Sequence, residues 1–216
     1  RISKEQISKR LMIAIVDYGI GNVFSIYNML KKIGLKSVVT ADKHAILSAE
    51  KIILPGIGAF DHCMQQLNNS GLRPAIEQKV IGDQTPVLGV CVGCQMLMES
   101  SDEGSEKGLG WVKGRVVKFD KQKMPQDYKI PHMSWSDTVP SENQSLYTGI
   151  ENPRFYFVHS YHLEPEDPSV ITATAEYGYT FPASVGSKNI QGVQFHPEKS
   201  HKFGMKLYSN FQNNFS

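Results

Sequence analysis

Four side chains in this sequence have the types and spacing to do chemistry together. Cys91 and Cys94 lie in the stretch GVCVGCQ, and His196 and Glu198 lie in GVQFHPEKS. The first stretch has three readings. Cys-x-x-Cys is the spacing of a redox dithiol, or of half a zinc site. Gly-x-Cys-x-Gly is the cysteine form of the nucleophile elbow, a sharp strand-to-helix turn that presents a reactive side chain. A structural zinc site needs four ligands, yet the remaining cysteine, Cys63, falls in an amphipathic segment and the histidines have no second paired spacing, so no metal is expected. A dithiol at the start of a helix has chemical logic, because the helix N-terminus lowers the pKa of the first thiol. It leaves the rest of the chain without a role. A cysteine nucleophile, by contrast, needs a base, a group to orient that base and donors for an oxyanion. With His196 and Glu198 two residues apart and Pro197 favouring an extended backbone, both side chains would share one face and the carboxylate would orient the imidazole.

Such residues need a scaffold. The chain has 216 residues, 40% hydrophobic and 20% charged, which suits one substantial globular core. A formal net charge of +2, from 23 basic and 21 acidic residues, argues against a nucleic-acid or anionic-membrane partner. No apolar run reaches the roughly 20 residues of a membrane span. Three cysteines fit a reduced compartment, so a cytoplasmic location is expected. The polar, basic RISKEQISKRL at residues 1–11 reads as an extension ahead of a functional start at Met12, leaving 12–216 as one domain.

From Met12 the pattern alternates. MIAIVDY reads as a strand, GIGN as a glycine loop, and FSIYNMLKKIG as a helix with Phe24, Ile26, Tyr27, Leu30 and Ile33 at helical spacing and Gly34 at its cap. KSVVT, KIILPG and TPVLGV are further apolar strands with helical segments between them. Strands apolar throughout and alternating with helices predict a doubly wound, mostly parallel α/β sheet covered on both faces. After GLGWVKGRVVKF, strand-like runs predominate (YKIPHMSWS, RFYFVHSYHLE, SVITATAEY, NIQGVQF) and only KFGMKLYSNFQNNF reads as helix, which predicts an antiparallel extension in the C-terminal half.

PGIGAF, GVCVGCQMLMESSDEG and HPEKS, in this order and at these separations, resemble the signatures of class I, triad-type glutamine amidotransferases, whose fold is flavodoxin-like. MIAIVDYGIGNVFSI, LGWVKGRV, IPHMSW and FYFVHSY narrow the resemblance to glutaminase subunits of imidazole glycerol phosphate synthase, which pair with a (β/α)₈-barrel cyclase in histidine biosynthesis. The resemblance implies L-glutamine as substrate, no cofactor, and a heterodimer that channels ammonia to the cyclase. It makes Cys91 the nucleophile, His196 the base and Glu198 its orienter, with the backbone N–H groups of Gly58 and Val92 as the oxyanion hole. Gln95, Glu103, Ser160 and Tyr161 match glutamine-binding positions. Trp135, Tyr156 and Lys199 match the mouth through which ammonia leaves, and Asn22 a position near its gate.

This chain departs from the family pattern in two places. Ser134 and Ser136 stand where PHMGWN has glycine and asparagine, and Cys94 stands where methionine is common. The first change lies beside the implied docking face, which keeps open a paralogous glutaminase that supplies ammonia for amidation of a surface-polysaccharide sugar. A Cys-x-x-Cys redox protein is the alternative from another class, and an idle binding subunit on the same fold a third.

Overall fold

The computed structural model describes residues 12–215, so the expected extension at residues 1–11 lies outside the described residues. Four short strands, β1 (Ile13–Val16), β3 (Lys51–Gly56), β4 (Val87–Cys91) and β12 (Ile190–Val193), are buried at every position. That pattern belongs to strands covered on both faces. With β2 (Ser37–Thr40) at the edge they form a parallel array in the order β2-β1-β3-β4-β12. The sheet then continues in antiparallel pairings through β11 (Thr180–Ser187), β10 (Ile171–Glu176), β7 (His132–Pro140) and β8 (Arg154–His159), giving nine strands. A second sheet holds β5 (Ser100–Ser101), β6 (Gly114–Lys118) and β9 (Tyr161–Pro165). The architecture is the expected doubly wound sheet with its antiparallel extension.

Helices α1 (Val23–Lys32), α2 (Lys43–Ser48), α3 (Phe60–Ser70) and α4 (Arg73–Glu77) connect the parallel strands, the two-turn α2 being capped by the Asp42 carboxylate. On α1 the buried face is Val23, Ile26, Met29 and Leu30, while Phe24 is 65% exposed. Phe24 and Ile26 were expected on one face, but two residues on a helix lie about 200° apart, so burying Ile26 turns Phe24 outward. Gly34, at φ +77°, closes α1 with a bond from the Leu35 N–H to the Leu30 carbonyl. One further expectation changes. RFYFVHSYHLE is two strands that break at Ser160, β8 in the large sheet and β9 in the small one.

A very short helix, α5 (Val92–Gln95), follows β4 directly and lies against β3. Glycines permit this contact. A Cβ on Gly93 would sit 2.0 Å from the Leu54 carbonyl oxygen, one on Gly56 2.2 Å from the Gly93 nitrogen, and one on Gly89 2.6 Å from the Gly93 oxygen. The long helix α6 (His201–Asn214) closes the chain, burying Leu207, Tyr208 and Phe211. No described helix is long and apolar enough to cross a membrane.

Because the Gly93 contact is backbone against backbone, Gly93→Ala is expected to lower stability by more than about 2 kcal/mol. Gly21→Ala, where a Cβ meets nothing within 4 Å, should change it by less than about 1 kcal/mol. Urea unfolding of the two variants checks this.

Candidate active site

Four of the elements that supply the site do so at the carboxyl ends of parallel strands, where ligands bind in open α/β sheets. Cys91 is the last residue of β4, Gly58 follows β3, His196 follows β12, and Asn22 follows β1. Cys91 has φ 56° and ψ −115°, a conformation that L-residues rarely hold. Such strain is typical of a nucleophile elbow. The thiol is not on the outer surface. It is 4% exposed and lines a cavity of about 370 Å³ together with Val92, Gln95, Glu103 and His196.

His196 Nδ1 meets Glu198 Oε1 at 2.7 Å, with the two side chains 3% and 1% exposed. The route differs from the extended one expected: His196 is extended (φ −104°, ψ 93°), but Pro197–Lys199 forms a 3₁₀ turn that brings Glu198 back under the imidazole. Asn22 Nδ2 donates to the same carboxylate oxygen at 2.8 Å. Asn22 thus touches the acid that pairs with His196, a contact its spacing in the sequence does not reveal. Burial alone would lower the His196 pKa, but the charge and hydrogen bonding of Cys91 and of Glu198 outweigh it and raise it to about 10. The backbone is fixed as well: Ser200 Oγ donates to the His196 carbonyl (2.6 Å), and the His196 N–H donates to the Tyr156 carbonyl (2.9 Å).

On the opposite wall the loop after β3 carries Ile57 and Gly58, both exposed, with Gly58 at φ +85°. Two buried side chains hold its root. The Tyr18 hydroxyl donates to the Pro55 carbonyl, and Cys63 Sγ lies 3.3 Å from the Ile57 carbonyl. Burial pushes the Cys63 thiol up to about 11, so it stays a donor. Glu103 lines the cavity while its Oε2 accepts the Phe60 N–H at 2.8 Å, in the first turn of α3.

Pro131, Val158, His159, Ser160, Tyr161 and Lys199 complete the lining. Gln95 Nε2 donates to the Tyr161 carbonyl (3.2 Å) and to Gln194 Oε1 (3.1 Å). Trp135 and Tyr156 do not line the cavity. They are half-buried, pair edge-on at 6.2 Å beside it, and adjoin Lys199, whose ammonium lies 5.8 Å from the Tyr156 ring. Cys94 faces away: it is fully buried, and a Cβ on Gly192 of β12 would lie 2.6 Å from its sulfur. All three cysteines are free thiols. Cys94 acts as a small apolar residue in a tight space. Among the described residues no cluster of three or more His, Cys, Asp or Glu could hold a metal ion.

Motif reading did not single out His132, His159 and Gln194. The first two lie on β7 and β8, 27 residues apart, and bond to one another at 3.1 Å.

A strained cysteine facing a buried His–Glu pair can carry out nucleophilic attack on a carbonyl, with the imidazole moving the proton. Comparison with known proteins gives the family. The model of the class-I glutamine amidotransferase family matches residues 14–214. The chain is 48% identical over 201 residues to imidazole glycerol phosphate synthase subunit HisH 2 of Pseudomonas aeruginosa, covering 93% of this chain and 98% of the relative. It is 49% identical, with the same coverage, to subunit HisH of Bdellovibrio bacteriovorus. A solved glutamine amidotransferase superposes with a TM-score of 0.70 at 17% identity, covering 92% of this chain and 96% of that one. PurLQS from Thermotoga maritima gives 0.70 at 18%, covering 95% and 99%. At those identities the superpositions bear on fold alone, whereas the family model spans nearly the whole chain, and the chain belongs to the class-I glutamine amidotransferase family.

Proposed function

We propose that this chain is the glutaminase subunit of an imidazole glycerol phosphate synthase, hydrolysing L-glutamine and passing ammonia to a (β/α)₈-barrel cyclase. The observation that carries this reading is the strained Cys91 lining one cavity with His196, whose imidazole is paired with the buried Glu198. The curated relatives, each named as a subunit of that synthase, support the choice of partner.

In this mechanism the Cys91 sulfur adds to the γ-carboxamide carbon of glutamine as its thiol proton passes to His196. Glu198 accepts the Nδ1–H of His196, which leaves Nε2 to exchange protons at the reacting centre. The carbonyl oxygen becomes an oxyanion held by the backbone N–H groups of Val92 and Gly58. A raised His196 pKa keeps a proton ready for the leaving nitrogen. As the C–N bond breaks, that proton departs with ammonia and a glutamyl thioester remains on Cys91. Water then adds to the thioester with His196 as base, and glutamate leaves with the thiol restored. Gln95, Glu103, Ser160 and Tyr161 hold the substrate's polar ends. Ammonia leaves past Lys199 toward the face carrying Trp135 and Tyr156.

The position of Ser134 and Ser136 on β7, next to Trp135, favours one second reading, a paralogous glutaminase that serves amidation of a polysaccharide sugar. Feeding ammonia to purified cyclase or sugar-amidating partners, and asking which one this chain activates with glutamine, separates the two.

Cys91→Ala is expected to abolish glutamate release from glutamine, by about 10⁴-fold or more, without loss of fold. Glu198→Gln should retain roughly 10² times more activity than Cys91→Ala, because an orienting acid contributes least alone. Coupled glutamate assays with circular dichroism check both. Persistent turnover in Cys91→Ala removes the proposal.

Gly58→Ala is expected to cost roughly 10²–10³ in kcat, since φ +85° is unfavourable once a Cβ is present and the oxyanion donor is displaced. In the synthase complex, ammonium salts should bypass both Gly58→Ala and Cys91→Ala, because the acceptor chemistry belongs to the partner. Product formation measured with glutamine and with ammonium chloride reads this directly.

A further inference from the structure

One set of buried polar groups plays no part in the chemistry above. His132 and His159 are 0% and 6% exposed, in a layer of aromatic rings. The His132 ring is stacked between Tyr177, at 4.0 Å, and Phe157, at 5.0 Å, with interplanar angles of 20° and 19°. Its Nδ1 lies 3.1 Å from His159 Nε2, and His159 Nδ1 lies 2.7 Å from the Tyr161 carbonyl oxygen. The other ring nitrogen of His132, Nε2, lies 3.0 Å from Ser134 Oγ and 2.9 Å from Ser136 Oγ. His132, Ser134 and Ser136 alternate along β7, so they share one face of the strand while Met133 and Trp135 take the other.

The proton positions follow from one fixed end. A carbonyl only accepts, so His159 Nδ1 must carry the hydrogen it shares with Tyr161. His159 Nε2 is then the acceptor and His132 Nδ1 the donor. His132 Nε2 is left with a lone pair, to which the serine hydroxyls donate. Burial supports uncharged rings, lowering the His132 pKa to about 4 and that of His159 well below its ordinary value. Beyond Tyr161 the same logic continues. Gln95 must turn its NH₂ to the Tyr161 carbonyl and the Gln194 oxygen, which leaves Oε1 as the atom that faces a ligand in the cavity.

We propose that His132 and His159 are positioning residues for glutamine: a relay of two Nδ1–H imidazoles that holds the Tyr161 carbonyl, and through it the Gln95 amide, in the orientation that presents Oε1 to the substrate. Its outer end is the serine pair that flanks Trp135, so the strand at the mouth of the site and the glutamine pocket share one chain of hydrogen bonds. The role rests on the glutaminase reading of this cavity. The proton positions do not.

Two measurements on the full chain test the relay and keep it apart from that reading. Imidazole ¹⁵N spectra should show both His132 and His159 protonated at Nδ1 and bare at Nε2. An Nε2–H signal from either ring overturns the relay, whatever the enzyme's substrate. Labelling of Cys91 by 6-diazo-5-oxo-L-norleucine, a glutamine analogue with an electrophilic carbon, gives the binding constant KI and the chemical rate separately, and iodoacetamide reports bare thiol reactivity. His159→Leu and His132→Phe should raise KI roughly three- to tenfold with little change in the chemical rate or in iodoacetamide labelling. His159→Asn, whose amide can donate in place of Nδ1, should recover most of the loss, and the double change Ser134→Ala with Ser136→Ala should raise KI in the same direction. Unchanged KI in both ring variants, or an equal loss in His159→Asn and His159→Leu, overturns the positioning role. A native chain that the analogue labels no faster than iodoacetamide overturns the glutaminase reading itself, and with it the role, while the spectra still decide the relay.

Discussion

The backbone of Cys91 is held where few L-residues stay, and the rest of the site depends on that one residue remaining there. Strain of this kind costs about 1–3 kcal/mol and persists only when its surroundings over-determine it. Here they do. β4 is paired on both sides, with β3 and with β12, so the strand cannot shift to relax its last residue. Directly after it, α5 lies so close to β3 that Gly56, Gly89 and Gly93 have no room for a methyl group. The interaction that enforces the elbow is therefore close backbone packing of α5 on β3 and β4, with the Cys94 side chain against β12, and β3 and β12 deliver the partners of Cys91 at their carboxyl ends.

A second constraint is electrostatic. Glu198 is a nearly fully buried carboxylate, and such a group is tolerated only when paired and hydrogen-bonded. His196 and Asn22 both bond to Oε1, while Oε2 has no hydrogen-bond partner among the described residues. The acid is thereby tied to β12 on one side and to the loop after β1 on the other. This arrangement links the entrance of α1, where Phe24 stands exposed, to the orienting end of the His–Glu pair. The linkage explains why the glycine loop GIGN belongs with the site although none of its side chains lines the cavity.

Much of this was legible in the sequence, and what was not has physical reasons. β1, β3, β4 and β12 announce themselves because strands buried on both faces are apolar almost throughout, Lys51 and Gln191 being the exceptions. Cys91 and His196 stand out because each lies within a short motif next to such a strand. The break at Ser160 was hidden, since β8 and β9 form one unbroken strand-like run and only the sheets they join tell them apart. β11 escaped because its Gly and Pro blur the alternation, and Phe24 was placed on the wrong face by counting apolar residues without their angle. His132 and His159 were invisible for a different reason: a lone histidine in an aromatic strand has no local signature, and its partner becomes a neighbour only when β7 pairs with β8.

In the proposed mechanism the sulfur held at the elbow forms a covalent bond with substrate. Mixing the synthase complex with glutamine, quenching in acid within one turnover and mapping the peptides by mass spectrometry tests it most directly. A glutamyl group on Cys91, absent from Cys63 and Cys94 and lost on neutral incubation, is the result this structure predicts. Glutamate release with no adduct on Cys91 under conditions that trap the thioester of a known cysteine amidotransferase, or an adduct on Cys94 instead, would contradict it.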